Sequence, residues 1–234
     1  MFLQPFEINR KSAVSDIVGQ DFRTAEVFRK HGISYCCGAK WPMEMACEMH
    51  GIDVTVLQKE LEEAVRTVHL PNIVDYEKWD TGFLVEYIIN IHHHYLKETL
   101  PKTQESVHEF IDEHVKKFPY LAELKTQFDQ LVEELLKSVH SEEEVLFPYI
   151  RQLVHAHKHK EPYTAMFIRT LRKPVEQILH KSHNNINHLI LSIRDLTNNY
   201  KVPSNACLSH QVVLSKLKEL DNDLMQHFYL EKSI

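Results

Sequence analysis

The chain has 234 residues, a formal net charge of −6, 43% hydrophobic residues, only five glycines and 17 histidines. That length buries one sizeable core, or one core with a small appended domain, and so little glycine suits a compact helical protein better than a disordered or β-rich one. The negative charge gives no support for nucleic acid or an anionic membrane as main partner, and no apolar run approaches the ~18 residues of a membrane span.

The first residues, MFLQPFEINRK, lack a signal peptide's apolar core, so a cytoplasmic location is expected. Four cysteines in such a chain argue against a disulfide framework. Cys36 and Cys37 are adjacent. A trans peptide holds neighbouring Cα atoms ~3.8 Å apart, below the usual disulfide range, so two thiols are the expected resting state. Cys47 and Cys207 read most simply as small packed residues.

Residues 1–11 form a lead-in. From Ser12 to about Val68 the pattern predicts four short helices. The amphipathic run Asp21–His31 stops at Gly32, a favoured cap position. Pro42 suits the first turn of a helix that runs to His50 and stops at Gly51, and Asp53 caps a segment from Val54 to Val68. The expected organisation is a small helical domain over 12–68, a linker over 69–79 and a larger helical domain over 80–234. A core this small is expected to lean on the larger domain or on a second copy. The Tyr35-Cys36-Cys37-Gly38 turn lies between helices, where backbone amides at a helix start can lower a thiol pKa; the alternative is a Cys pair that simply packs.

Beyond Trp79 the spacing predicts four long helices, over about Thr81–Lys116, Tyr120–Ala156, Thr164–Asn199 and Asn205–Glu231, enough for an up-down bundle. Pro101, Pro148 and Pro174 are expected to kink or restart three of them. Histidines and acids fall on the apolar stripes. In the last helix Leu217, Leu220 and Leu224 are followed by His227 and Glu231, one turn apart on one face. In the third, His183 joins Leu179, Ile186, Ile190 and Ile193, while His180 and His188 point away. In the first, His93 falls with Val85, Ile89, Leu96 and Leu100, and His92 with Ile88 and Tyr95; periodicity does not choose between them.

The second long helix carries Glu142 on the line of Phe128, Leu131, Leu135 and Leu146. Its neighbours Glu143 and Glu144 read as a solvated run. One turn before Glu142 stands Ser138, and a further His140–Glu144 pair sits well around the helix from the apolar face. The histidines from His155 to His159 read as a solvated stretch. Buried imidazoles and carboxylates without partners are costly. Three imidazoles and two carboxylates meeting inside a four-helix bundle describe a carboxylate-bridged dinuclear site, with ligands that suit iron or manganese.

These residues resemble the Repair of Iron Centers family, the ScdA/YtfE-type di-iron proteins of iron–sulfur cluster repair. The first block, Thr24-Ala-Glu-Val-Phe-Arg-Lys-His-Gly-Ile-Ser-Tyr-Cys36-Cys37-Gly38, resembles the family's small ScdA-type domain. The second is similar to a hemerythrin-like bundle through His92-His93-His94-Tyr-Leu, Glu142-Glu-Glu-Val-Leu-Phe-Pro148, Leu-Thr197-Asn-Asn and His227-x-x-x-Glu231. The resemblance implies an all-α protein, a hemerythrin-like up-down four-helix bundle behind an ScdA-type domain. It implies two non-haem, carboxylate-bridged iron ions held by His93, Glu142, His183, His227 and Glu231. The family's usual sixth ligand, a His ten residues before the proline, is Ser138 here; a water, or His140 with Glu144, stands as its replacement, or the metal is held weakly. The chain ends at Ile234, three residues past Glu231, so the last turn is expected to fray.

Implied with this is a cytoplasmic factor that restores clusters damaged by nitric oxide or oxidants, supplying iron rather than turning over a substrate. Its clients are damaged iron–sulfur proteins, Cys36 and Cys37 its redox or iron-transfer thiols, and a homodimer through the N-terminal domain its expected assembly. The alternatives are a hemerythrin-like module that binds or senses oxygen or nitric oxide, and reduction of nitric oxide at the two irons.

Overall fold

A computed structural model describes residues 8–36, 40–65 and 76–231, without the side chains of 77, 167, 171–176 and 178–180. The linker expected from 69 falls largely outside these residues, as do Cys37 and the end of the helix expected to reach Val68. The described residues are helical, with no strand among them.

The described residues before 66 pack with 200–218 as one unit, and 76–199 pack with 219–231 as another. The first unit holds α1 (Val14–Gln20), α2 (Thr24–Lys30), α3 (Met43–His50) and α4 (Val54–Ala64). The glycines end helices as expected: Gly32 and Gly51 take φ of 69° and 66°, a left-handed conformation that costs glycine little. Asp53 caps α4 by accepting the Thr55 N–H at 2.7 Å. Val14, Ile17, Phe28, Met43, Leu57 and Leu61 make an apolar core, closed by Val212 with Leu208 against it. The stretch 200–218, expected in the larger domain, packs here because Leu208 and Val212 cover this core. Lys216 adds an ion pair to Glu26 at 2.9 Å.

The second unit contains three of the four predicted rods and the later part of the fourth, from 219 onward. The first is α5 (Thr81–Tyr87), a π-helical turn (Ile88–His93) and α6 (His94–His114). The second is α7 (Tyr120–Ser141), a π-helical turn (Glu142–Leu146) and α8 (Phe147–Lys158). The third, α9, runs over Thr164–Leu196 and the fourth, α10, over Leu208–Glu231. α6 packs on α7, α7 on α9, and α8 on both α5 and α9. The prolines act unequally. α6 and α9 continue through Pro101 and Pro174. Only Pro148 coincides with a change, following a turn closed by the Phe147 N–H on the Glu142 carbonyl. Proline has no N–H and its ring clashes with the carbonyl four residues back, and the widened turn relieves both. His155 and His157 lie exposed on α8. No described helix is long and apolar enough to cross a membrane.

Candidate metal centre

The two π-helical turns face the same interior. A turn with i→i+5 bonds brings in one more residue than an α-turn, and such bulges cluster at functional sites. In the first, the His94 N–H reaches the Ile89 carbonyl, and both His92 and His93 are buried, at 1% and 0% exposure. In the second, Glu142 is 1% exposed. The widened turns therefore set a pair of imidazoles and a carboxylate into the interior, with Phe147 against His93 and Leu146 beside Glu142.

Two overlapping groups result. His93, Glu142 and His227 form one, and Glu142, His183 and Glu231 the other, with the potential ligand atoms of each within 4.8 Å of one another. Glu142 Oε2 lies 3.0 Å from His93 Nε2 and 3.7 Å from His227 Nε2. Glu231 Oε2 lies 3.0 Å from His183 Nε2, and Oε1 3.6 Å from His227 Nε2. Yet Glu142 Oε2 and both Glu231 oxygens accept no hydrogen bond among the described residues. The atoms are close but not aligned donor to acceptor; they converge on common points between them. Isolated buried carboxylates are costly, and a cation at those points would satisfy them.

Further contacts orient these groups. The His93 Nδ1 side faces Glu143 Oε1 at 2.9 Å, and Lys97 Nζ holds both Glu143 oxygens, at 2.7 and 2.6 Å. A proton on Nδ1 shared with that carboxylate leaves the Nε2 lone pair facing Glu142 and His227. His92 Nδ1 contacts Asp223 Oδ1 at 2.9 Å, and its ring stacks on His227 with centroids 5.7 Å apart. The Ser138 hydroxyl donates to Glu142 Oε1 at 2.6 Å and accepts from Ser182 at 2.8 Å.

Burial pushes the Glu142 carboxyl up, but a protonated His93 ring, the charge at His227 and the Ser138 hydroxyl outweigh it and hold it down, at about 2; against burial, Glu142 and Glu143 in turn pull His93 above its ordinary value. Burial pushes Glu231 up to about 7; His183 opposes this and the Glu142 charge reinforces it. Burial carries His227 down to about 3 against the pull of Glu142, with the neighbouring imidazoles adding to the drop. The surroundings thus favour the anionic form of Glu142, and burial disfavours charge on Glu231 and His227.

Five of the predicted ligands are brought together: His93, Glu142, His183, His227 and Glu231. His140 and Glu144 are not; both are exposed and outside either group. Glu142 turns inward at the start of its π-helical turn, whereas His140 stays on the outer side of α7. His94 and His188 are exposed as well. Glu143, expected in a solvated run, instead pairs with His93 and Lys97; Lys97, one turn beyond His93 on the other rod, is the signal in the sequence that points to it. Ser138, Ser141, Glu142, Lys137, Lys181 and Ser182 line a cleft of about 270 Å³ that opens onto the Glu142 side.

A model of the hemerythrin HHE cation-binding domain matches residues 85–234, and a model of ScdA_N, a domain of unknown function, matches residues 10–65. The iron-sulfur cluster repair protein ScdA of Staphylococcus haemolyticus is 25% identical over 227 residues, covering 97% of both chains. The iron-sulfur cluster repair protein YtfE of Edwardsiella ictaluri is 27% identical over 212 residues, covering 91% of this chain and 89% of that one. YtfE of Escherichia coli O81 is similar to the same extent, 27% over 212 residues. With the HHE model covering more than half its length and an ScdA_N domain ahead of it, the chain belongs to the hemerythrin HHE cation-binding family, among relatives named for iron–sulfur cluster repair.

Proposed function

We propose that the bundle holds two non-haem iron ions, one between His93, Glu142 and His227 and one between Glu142, His183 and Glu231, and that the protein supplies iron to damaged iron–sulfur clusters. The observation that carries this reading is Glu142, which belongs to both groups and leaves Oε2 without a hydrogen bond. Oxygen and imidazole donors suit iron, and a bridging carboxylate held anionic has a charge to share between two cations. Iron bound there supplies Lewis acidity and one-electron chemistry. The chain's own residues do the rest: Glu143 and Lys97 fix the His93 ring, His92 and Phe147 flank the imidazoles, and Ser138 steadies Glu142.

Ser138 also supports donation over permanent retention. A hydroxyl already engaged with Glu142 and Ser182 is a weaker ligand than an imidazole, and it stands at the wall of the cleft. Iron leaving as cargo has a way out there, past the Ser138 and Ser182 hydroxyls. The clients are damaged iron–sulfur proteins, and Cys36 with Cys37 receives or passes iron or electrons. Dimerisation through the N-terminal domain is part of the proposal; Trp41, Met45 and Met49 are exposed on and beside α3, and sedimentation of the full chain should show a dimer.

The cleft favours one second reading, reversible uptake of oxygen or nitric oxide. Mixing the iron-loaded protein with a cluster enzyme damaged by nitric oxide separates the two. Recovery of the enzyme in step with iron lost from this chain supports donation. A reversible spectral change without recovery supports uptake, and nitrous oxide release would instead mean turnover.

A further inference from the structure

Away from the histidines and carboxylates, the first unit brings two thiols together. Cys207 stands at the start of α10, its carbonyl accepting the Gln211 N–H at 3.2 Å. The backbone N–H groups of Ser209 and His210 donate to its sulfur, and the Cys36 thiol is hydrogen-bonded to that sulfur as well. Cys36 lies in the bend that follows α2, and both residues are partly exposed thiols. The His210 side chain, one turn into α10, is fully buried. The sequence offers Cys36 a different neighbour, Cys37, but adjacent Cα atoms ~3.8 Å apart are too close for an unstrained disulfide.

We propose that Cys36 and Cys207 form a dithiol redox site whose oxidant is a low-molecular-weight disulfide and whose oxidised form is an intramolecular Cys36–Cys207 bond. The Cys36 thiolate attacks one sulfur of the small disulfide RSSR, forming a mixed disulfide and releasing RS⁻, which takes up the Cys36 proton as RSH. The Cys207 thiolate then attacks the Cys36 sulfur, displacing the second RS⁻, which leaves with the Cys207 proton. Two thiols lose two protons and two electrons, and RSSR gains both as two RSH.

The surroundings set this order. Burial, together with charge on Cys36 and against the two backbone amides, raises the Cys207 pKa. Cys207, whose sulfur is already engaged by two backbone amides and by Cys36, is the thiol held back for the second step, and Cys36 is the first nucleophile. Once the mixed disulfide removes the charge from Cys36, the amides at the start of α10 favour a thiolate on Cys207 for the second step. This deepens the thiol part of the proposed function and is independent of iron: the readout below is sulfur chemistry alone.

The full-length protein, equilibrated with mixtures of reduced and oxidised glutathione, is quenched by alkylation and digested with trypsin without reduction. The expected product joins peptide 31–40 to peptide 202–216, and fragment ions separating the adjacent cysteines place the bond on Cys36. It persists in Cys37→Ser, disappears in Cys36→Ser and Cys207→Ser, and gives way in Cys207→Ser to a glutathione adduct on Cys36. A bond assigned to Cys37, a Cys36–Cys37 product alone, or adducts without any cross-link would overturn the proposal. The fragment ions of the wild-type peptide decide the matter even where a variant fails to fold.

Discussion

The two units of this chain bury helix faces of opposite chemistry. In the first, α1 to α4 and the start of α10 close over Val14, Ile17, Phe28, Met43, Leu57, Leu61 and Val212, an interior satisfied by packing. In the second, the interior holds His92, His93, Glu142 and His227 among leucines, with carboxylate oxygens that lack hydrogen bonds. The first stabilises itself. The second is left costly by its own residues and is stabilised by what binds there.

Phe28→Ala removes a fully buried ring from the apolar core and should cost about 3–5 kcal/mol, read by denaturant unfolding, with or without added iron. Glu143→Gln should do the reverse: little change in the unfolding of the iron-free chain, but a drop of about 10–100-fold in iron affinity, because it loosens the His93 ring. A competitive chelator titration measures it. A loss of unfolding stability in Glu143→Gln that is the same with and without iron would break the contrast between the two interiors.

A smaller effect concerns Glu26, whose carboxyl burial pushes up but Arg29 and Lys216 pull below its ordinary value of 4.5. A carboxyl lowered in the folded state stabilises it fully above the unfolded value, and that contribution disappears as pH falls through the folded one. Glu26→Gln should cost about 1 kcal/mol at neutral pH and nothing in strong acid, read by thermal unfolding across pH. The smallest change expected has the opposite sign. Ser138→His adds an imidazole beside Glu142 and should slow loss of iron to a chelator; unchanged or faster loss counts against iron being held loosely there.

Much of the fold was legible because helix periodicity and caps are local. Gly32, Gly51 and Asp53 stop or start helices by properties of their own backbone and side chains, and the stripes of Ile186, Ile190 and Ile193 or Leu217, Leu220 and Leu224 repeat at the helical spacing. For the same reason His183, His227 and Glu231, on regular helices, could be placed on an inner face. What periodicity could not reveal lies where the helix departs from 3.6 residues per turn. The choice between His92 and His93 has no answer in a regular helix, because the π-helical turn at 88–93 buries both, and no proline stands beside it as a signal. The second such turn has one, Pro148, and it separates inward Glu142 from outward His140 and Glu144. The grouping of 200–218 with the first unit and the meeting of Cys36 with Cys207 depend on contacts distant in sequence, which no local pattern encodes.

Glu142 shared by two iron ions is what the proposed function requires above all. Iron content and the optical spectrum of the full chain purified without oxygen test it most directly, beside the same measurement on Glu142→Gln. Two irons per chain are expected, with the absorption of a carboxylate-bridged pair, falling to one or none in the variant. A wild-type chain that binds no iron, or a variant that keeps both ions, would contradict it.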